Sequence, residues 1–368
     1  MSQQIYRYVM NKAGAPMTVT TDPFPDETLA DGKVLVEVVG CGVCHTDLGF
    51  YYDGIRTRHE LPLCLGHEIS GRVVSTAKDM DRLLGKTVVV PAVIPCGDCA
   101  PCQAGRGAIC TTQFFPGNDD HGGFASHVLV PGKGLCVVDE KRLADSGVDL
   151  AVLSVIADAV STPYQAILNS DLKPGDLAIF IGIGGVGNFG VQLAAAMGAH
   201  VIAIDVDAER LQGIQEFGAE YTIRSSDDTR SIKKEVKSWA KQNRYPSTGW
   251  KIFETSGHPG GQTLAVALLG YDAHLAVVGY TRAKIEMRLS NLMAFDATMR
   301  GTWGCLPEHY PAVVDHVLAG NVKLDPFVEK RPMNQINEVF EDLHAHRIKK
   351  RPVMIPDFSD GTSQSTSS

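Results

Sequence analysis

Hydrophobic and polar positions change rhythm near residue 154. Before it, short β-rich runs lie between glycines and prolines. Residues 34–39, 68–74 and 87–90 read as strands, with no long helical period competing. After it the two periods alternate. Residues 158–170 carry a helical pattern with Pro163 early in it, and the turn 172–176 leads into an apolar strand at 177–181. Helices are predicted at 186–197, 207–217 and 228–242, between strands at 201–205, 221–223 and 251–254. Further strands are expected at 274–279 and 299–303, and helices near 308–318 and 333–344. Such alternation predicts a doubly wound parallel sheet. The expectation is an α/β protein: a β-rich domain over 1–155, a parallel-sheet domain over 156–303, a return of 304–358 to the first domain, and a disordered, small and polar tail at 359–368.

Size and charge narrow the function. A chain of 368 residues exceeds what one core usually serves, consistent with two domains. A formal net charge of -8 argues against a nucleic-acid partner, which needs clustered Lys and Arg. No uninterrupted apolar stretch of about eighteen residues suggests a membrane span, and the first residues lack the basic and apolar regions of a signal peptide. Nine cysteines in that context point to reduced thiols and a cytoplasmic location.

Cys96, Cys99, Cys102 and Cys110, within a lobe at 95–111, have the spacing of a closed tetrahedral zinc site. All four ligand positions would be protein atoms, so that zinc would be structural. Free or disulfide-bonded cysteines are the alternative, disfavoured because a two-residue gap strains a disulfide. Gly182, Gly184, Gly185, Val186 and Gly187 stand between an apolar strand and an apolar helix, in the pattern of a dinucleotide-binding turn. Gly182 would allow the turn, Gly184 the approach of the pyrophosphate, and Gly187 close helix packing. Asp205 ends the next strand, placed to accept from the ribose hydroxyls of NAD and to repel the extra phosphate of NADP; its other reading is a helix cap for 207–217. Outside the cysteine lobe, Cys44 and His67 are soft-ligand candidates, and Asp158 is a carboxylate in an apolar run. Each alone is more often a satisfied core residue, and periodicity does not bring the three together. A Cys41–Cys44 redox pair is a further alternative.

The segments Gly-Val-Cys-His-Thr-Asp at 42–47, Gly-His-Glu at 66–68 and the four-cysteine lobe resemble those of zinc-dependent alcohol dehydrogenases of the medium-chain dehydrogenase/reductase superfamily. The resemblance spans about residues 5–355 and implies a GroES-like catalytic domain joined to a Rossmann cofactor domain. It implies two zinc ions per chain, the catalytic one held by Cys44, His67 and Asp158, with Glu68 as an alternate ligand. It also implies that Thr46 accepts the hydrogen bond of a zinc-bound substrate hydroxyl, and that His45, Thr162, Arg210 and either Arg351 or Lys350 serve NAD or the proton path. Asp158 stands where many relatives carry cysteine, exchanging a soft sulfur for a hard oxygen. Gly49 stands where many carry a relay histidine. A homodimer or homotetramer is implied, pairing through the last strand of the cofactor domain. Within the family, the chain is most similar to enzymes that oxidise a ring secondary alcohol carried as a CoA thioester, a small-molecule substrate for which Arg56 and Arg58 are candidate anchors. A general secondary alcohol or polyol dehydrogenase is the alternative.

Overall fold

Short valine-rich runs and a buried apolar strand build two different sheets in the computed structural model, which describes residues 4–25 and 29–358. The tail at 359–368 lies outside the described residues. β1 (Gln4–Val9) and β2 (Thr18–Pro23) form an antiparallel pair. β3 (Lys33–Gly42), β4 (Glu68–Thr76), β5 (Thr87–Val90), β6 (His127–Pro131) and β7 (Cys136–Val137) follow in an antiparallel network centred on β3 and β4. Its core holds Val34, Val36, Ile69, Val88, Val90, Phe124 and Val128, all buried.

Six parallel strands make the second sheet: β8 (Leu177–Ile181), β9 (His200–Asp205), β10 (Tyr221–Arg224), β11 (Lys251–Glu254), β12 (His274–Val277) and β13 (Thr298–Gly301). Their order is β10-β9-β8-β11-β12-β13, so the chain reverses direction across the sheet after β10. That order is the dinucleotide-binding one, with the switch point beside β8. Every residue of β8 is buried, as expected of a strand covered on both faces. The helix Thr229–Asn243, polar by composition, buries only Ile232, Val236 and Ala240, spaced four apart on one face.

The chain then supplies β14 (Val328–Pro332) and β15 (Arg351–Ile355) to the first sheet, with β15 pairing to β3 at Cys41 and Gly42. Between them the helix Ile336–His344 seats Ile336, Val339 and Phe340 in that sheet's core. Two compact units result. One contains residues up to Ser161, Gly304–Leu318 and the chain from Leu324; the other contains Thr162–Trp303 and Ala319–Lys323. The division falls at 161/162 rather than 155/156, because the 3-10 helix Val152–Ala157 is buried against β3, β4 and β5 and carries Asp158 with it.

Candidate functional site

Two clusters of metal-binding side chains lie in the first unit. Cys96, Cys99, Cys102 and Cys110 bring their sulfurs within 4.8 Å of one another. Pairs stand at 3.4 Å (Cys99–Cys102), 3.6 Å (Cys99–Cys110) and 3.9 Å (Cys96–Cys102). Sulfurs at about 2.3 Å from a shared zinc would be about 3.8 Å apart, whereas a disulfide would hold them at about 2.05 Å. The donor set and its spacing fit zinc. Backbone N–H groups of Asp98 and Cys99 donate to the Cys96 sulfur, as they would to a thiolate. With the Thr112 hydroxyl as the largest influence, they pull that thiol down to about 6.

The second cluster joins Cys44, His67, Glu68 and Asp158, again within 4.8 Å. Cys44 ends the β3 segment as N-cap of the helix His45–Tyr51. His67 lies just before β4, and Asp158 follows the buried 3-10 helix. The Asp158 Oδ2 atom is 3.3 Å from the Cys44 sulfur and 3.6 Å from His67 Nε2. Asp47, in the first turn of the helix, organises the group. Its Oδ2 accepts from the Cys44 N–H at 2.9 Å, and its Oδ1 accepts from the Gly66 N–H at 3.1 Å and lies 3.3 Å from His67 Nδ1. Burial works to lower the His67 pKa, but the Asp47 charge and hydrogen bonds to Asp158, Asp47 and Cys44 raise it well above the ordinary value. A buried set of thiol and carboxyl donors that draws positive charge to its centre fits a divalent cation.

Glu68 is fully buried and faces Arg351, which donates from Nε at 2.7 Å and Nη2 at 2.5 Å. Burial pushes the Glu68 carboxyl up to about 7, while Arg351 pulls the other way. Arg351 Nη2 also lies 3.7 Å from Asp158 Oδ2. Arg351 is thus engaged by carboxylates of its own unit, and Lys350 is exposed. Gly42, which pairs with Glu68 across β3 and β4, has no room for a Cβ against that carboxylate.

Other predicted residues lie around this centre. Thr46 Oγ1 is 3.7 Å from the Cys44 sulfur, and His45 is exposed on the first helical turn. Cys41 is buried outside the cluster, and burial holds its thiol well above the usual range, which disfavours a redox pair with Cys44. Of the two candidate substrate anchors, Arg58 already has a partner. Its guanidinium pairs with Asp119 at 3.0 Å and reaches the Gln113 carbonyl, whereas Arg56 is exposed with no ion pair among the described residues.

The nucleotide turn lies in the second unit. Gly182 follows β8 with φ 89°, a left-handed conformation, and a Cβ there would strike Ser256. A Cβ on Gly187 would strike the Gly182 carbonyl, whereas Gly184 meets only Arg210 Nη1, at 3.8 Å, and is open to a ligand. Gly185 is exposed and Val186 half-buried at the start of the helix Gly187–Ala196, which has no side-chain cap. No side chain therefore competes with an anion at that helix start, although the Asn188 N–H already donates to the Gly184 carbonyl at 3.3 Å. Asp205 ends β9, with Oδ2 accepting from Ile183 N–H and Oδ1 from Asp207 N–H. The helix cap is Asp207, not Asp205, since its side chain accepts from Glu209 and Arg210. Thr162 is buried in the first turn of the helix Ser161–Asn169.

Three contributors escaped the sequence reading. Asp47 was visible in the motif but without an assigned role. Thr255 donates to the Ile181 and Gly182 carbonyls, at 3.0 and 2.7 Å, and Glu254 binds the turn that follows through Ser256 and Gly257. No spacing signal marks these, because they act through tertiary contact.

Comparison with known proteins agrees with this geometry. Residues 30–140 match the alcohol dehydrogenase GroES-like domain, and residues 185–319 match the zinc-binding dehydrogenase family. The chain is 28% identical over 330 residues to an alcohol dehydrogenase of Geobacillus stearothermophilus, covering 89% of this chain and 92% of that one. It superposes on an alcohol dehydrogenase of the hyperthermophilic archaeon Aeropyrum pernix with a TM-score of 0.82 at 25% identity, over 95% of this chain and 100% of that one. It also superposes on galactitol-1-phosphate dehydrogenase of Escherichia coli with a TM-score of 0.83 at 23% identity, over 95% and 100%, a likeness of fold alone.

Proposed function

We propose that the chain, which matches the alcohol dehydrogenase GroES-like domain and the zinc-binding dehydrogenase family, is a zinc-dependent alcohol dehydrogenase of the medium-chain dehydrogenase/reductase superfamily that oxidises a secondary alcohol or polyol with NAD, at a zinc held by Cys44, His67 and Asp158. The observation that carries the reading is the convergence of those three side chains with Glu68 inside 4.8 Å. Bound there, zinc would act as a Lewis acid on the substrate oxygen, and a bound nicotinamide would supply the hydride acceptor. The chain's own residues do the rest. Thr46, beside Cys44, accepts the substrate hydroxyl's hydrogen bond and starts the outward proton path. With Gly49 offering no imidazole, His45 is the nearest exposed group to continue it. Asp47 orients His67, and Arg351 fixes the position of the Glu68 carboxyl through two hydrogen bonds. Cys96, Cys99, Cys102 and Cys110 hold a second, structural zinc.

Asp205 sets the cofactor. Its carboxylate would accept from the adenosine ribose hydroxyls of bound NAD, and a 2'-phosphate would meet a like charge there. The enzyme is expected to favour NAD over NADP by at least about tenfold in kcat/KM, roughly 1.4 kcal/mol. The deciding experiment for the catalytic site is His67→Ala. It should stay folded and retain one zinc while alcohol oxidation, followed as NADH absorbance, is lost. A fully active variant would reject the assignment.

A narrower reading makes the substrate 6-hydroxycyclohex-1-ene-1-carbonyl-CoA, oxidised to its 6-oxo thioester. With Arg58 engaged by Asp119, what favours it is the exposed and unpaired Arg56, an anchor for a CoA phosphate. Turnover of the CoA ester against free secondary alcohols separates the two. If the CoA ester is the substrate, Arg56→Ala should raise KM with little change in kcat. No turnover of the ester leaves the general alcohol reading.

A further inference from the structure

Asp158 belongs to neither a helix nor a strand, and its φ of -139° and ψ of -61° lie outside the values of both. Its side-chain direction therefore depends on the two peptide planes that meet at its Cα. Each plane is held by a buried side chain from a distant part of the chain. The plane after Asp158 is held by Glu68, whose Oε1 accepts from the Ala159 N–H at 3.1 Å. The plane before it is held at the Ala157 carbonyl. That oxygen accepts from the Tyr310 hydroxyl at 2.5 Å, from the Ser161 hydroxyl at 3.2 Å, and from the Ala92 N–H at 3.4 Å.

Tyr310 is the strongest of these three donors by distance. It is 0% exposed, 153 residues from Ala157 in sequence, and its oxygen also accepts from the Ala92 N–H at 3.3 Å. It opens the helix Tyr310–Leu318, whose Val313, Val314 and Val317 are buried beside it. A phenylalanine would fill the same space. The buried hydroxyl therefore adds a specific contact where packing alone needs none, and a polar group is costly to bury unless its bonds are made.

We propose that Tyr310 is a positioning residue for the Asp158 metal ligand: its hydroxyl fixes the 157–158 peptide plane as Glu68 fixes the 158–159 plane, and together they aim the carboxylate at Cys44 and His67. The inference rests on the reading of Asp158 as a ligand. An aspartate side chain turns about two rotatable bonds, so the place of its oxygen depends on where the backbone directs it.

The test compares Tyr310→Phe, Val313→Ala and Asp158→Asn in the zinc-loaded protein. Zinc release is titrated with a chromophoric chelator, and the d–d bands are recorded after exchange with Co2+. Val313→Ala removes core packing from the same helix without removing a hydrogen bond to the Ala157 carbonyl, and so reports loss of stability alone. Tyr310→Phe should weaken retention of one zinc by about 10–100-fold, the usual range for losing an outer partner of a ligand, and should shift the Co2+ bands. Val313→Ala should do neither, even at a matched fall in Tm. An unchanged affinity and spectrum in Tyr310→Phe overturns the proposal. Equal zinc loss in Val313→Ala overturns it too, by reducing the effect to stability. Asp158→Asn keeps the two readings apart: if it leaves both affinity and spectrum unchanged, the ligand assignment itself fails.

Discussion

Asp47 touches no reacting atom in the proposed chemistry, yet three groups of the site depend on it: the Cys44 N–H, the Gly66 N–H and the His67 ring. Removing it would free the His67 ring to turn and leave two buried N–H groups unpaired. Asp47→Ala is therefore expected to weaken binding of the catalytic zinc by roughly 10–100-fold, measured by chelator competition, with the four-cysteine site unaffected. The nucleotide turn makes an equally local demand at Gly187, where a Cβ would strike the Gly182 carbonyl. Gly187→Ala should cost about 1–3 kcal/mol in denaturant unfolding and weaken NAD binding, because the displaced backbone is the one that would receive the pyrophosphate. Replacing Asp205 by serine should lower kcat/KM for NAD and raise that for NADP. Equal use of the two cofactors by the unmodified enzyme would contradict the role given to this carboxylate.

Elements differ in how far their sequences announce them. β5 and β8 lie where their apolar, valine- and isoleucine-bearing runs place them, since a run buried on both faces has few alternatives. The helix Pro259–Leu268 was not legible, because Pro259, Gly260 and Gly261 open it with loop-like residues, although the proline suits a first helical turn. The short helix His45–Tyr51 was hidden for a different reason: it follows Cys44 within a segment whose residue types are chosen for the site. β14 and β15 carry charged and proline residues, and become strands only because β15 finds β3. The candidate ligands themselves were legible as motifs, but their meeting was not, since Cys44 and Asp158 stand on elements 114 residues apart. Where β3 meets β4, Gly42 makes room for the buried Glu68–Arg351 pair. Gly42→Ala should force that pair apart, at about 3–5 kcal/mol if the charges stay buried and unpaired, seen as a lower urea midpoint.

At the scale of the whole molecule, no helix among the described residues is long and apolar enough to cross a membrane. The outstanding surface feature is β13, an edge strand whose four residues are all exposed, with Met293, Met299 and Trp303 exposed on or near it. An exposed edge strand flanked by Met and Trp side chains is a liability for an isolated chain. The expected state is a homodimer formed edge to edge through β13, or a tetramer built from such dimers. Sedimentation at micromolar concentration should find it, and Met299→Lys should shift it toward monomer. One chain brings together two unlike sets of metal-binding side chains, one of four sulfurs and one of Cys44, His67, Glu68 and Asp158. The most direct test is the zinc content per chain of the unmodified protein and of Asp158→Ala. Two zinc ions falling to one is the predicted result; a single zinc in the unmodified chain, or two retained by Asp158→Ala, would contradict it.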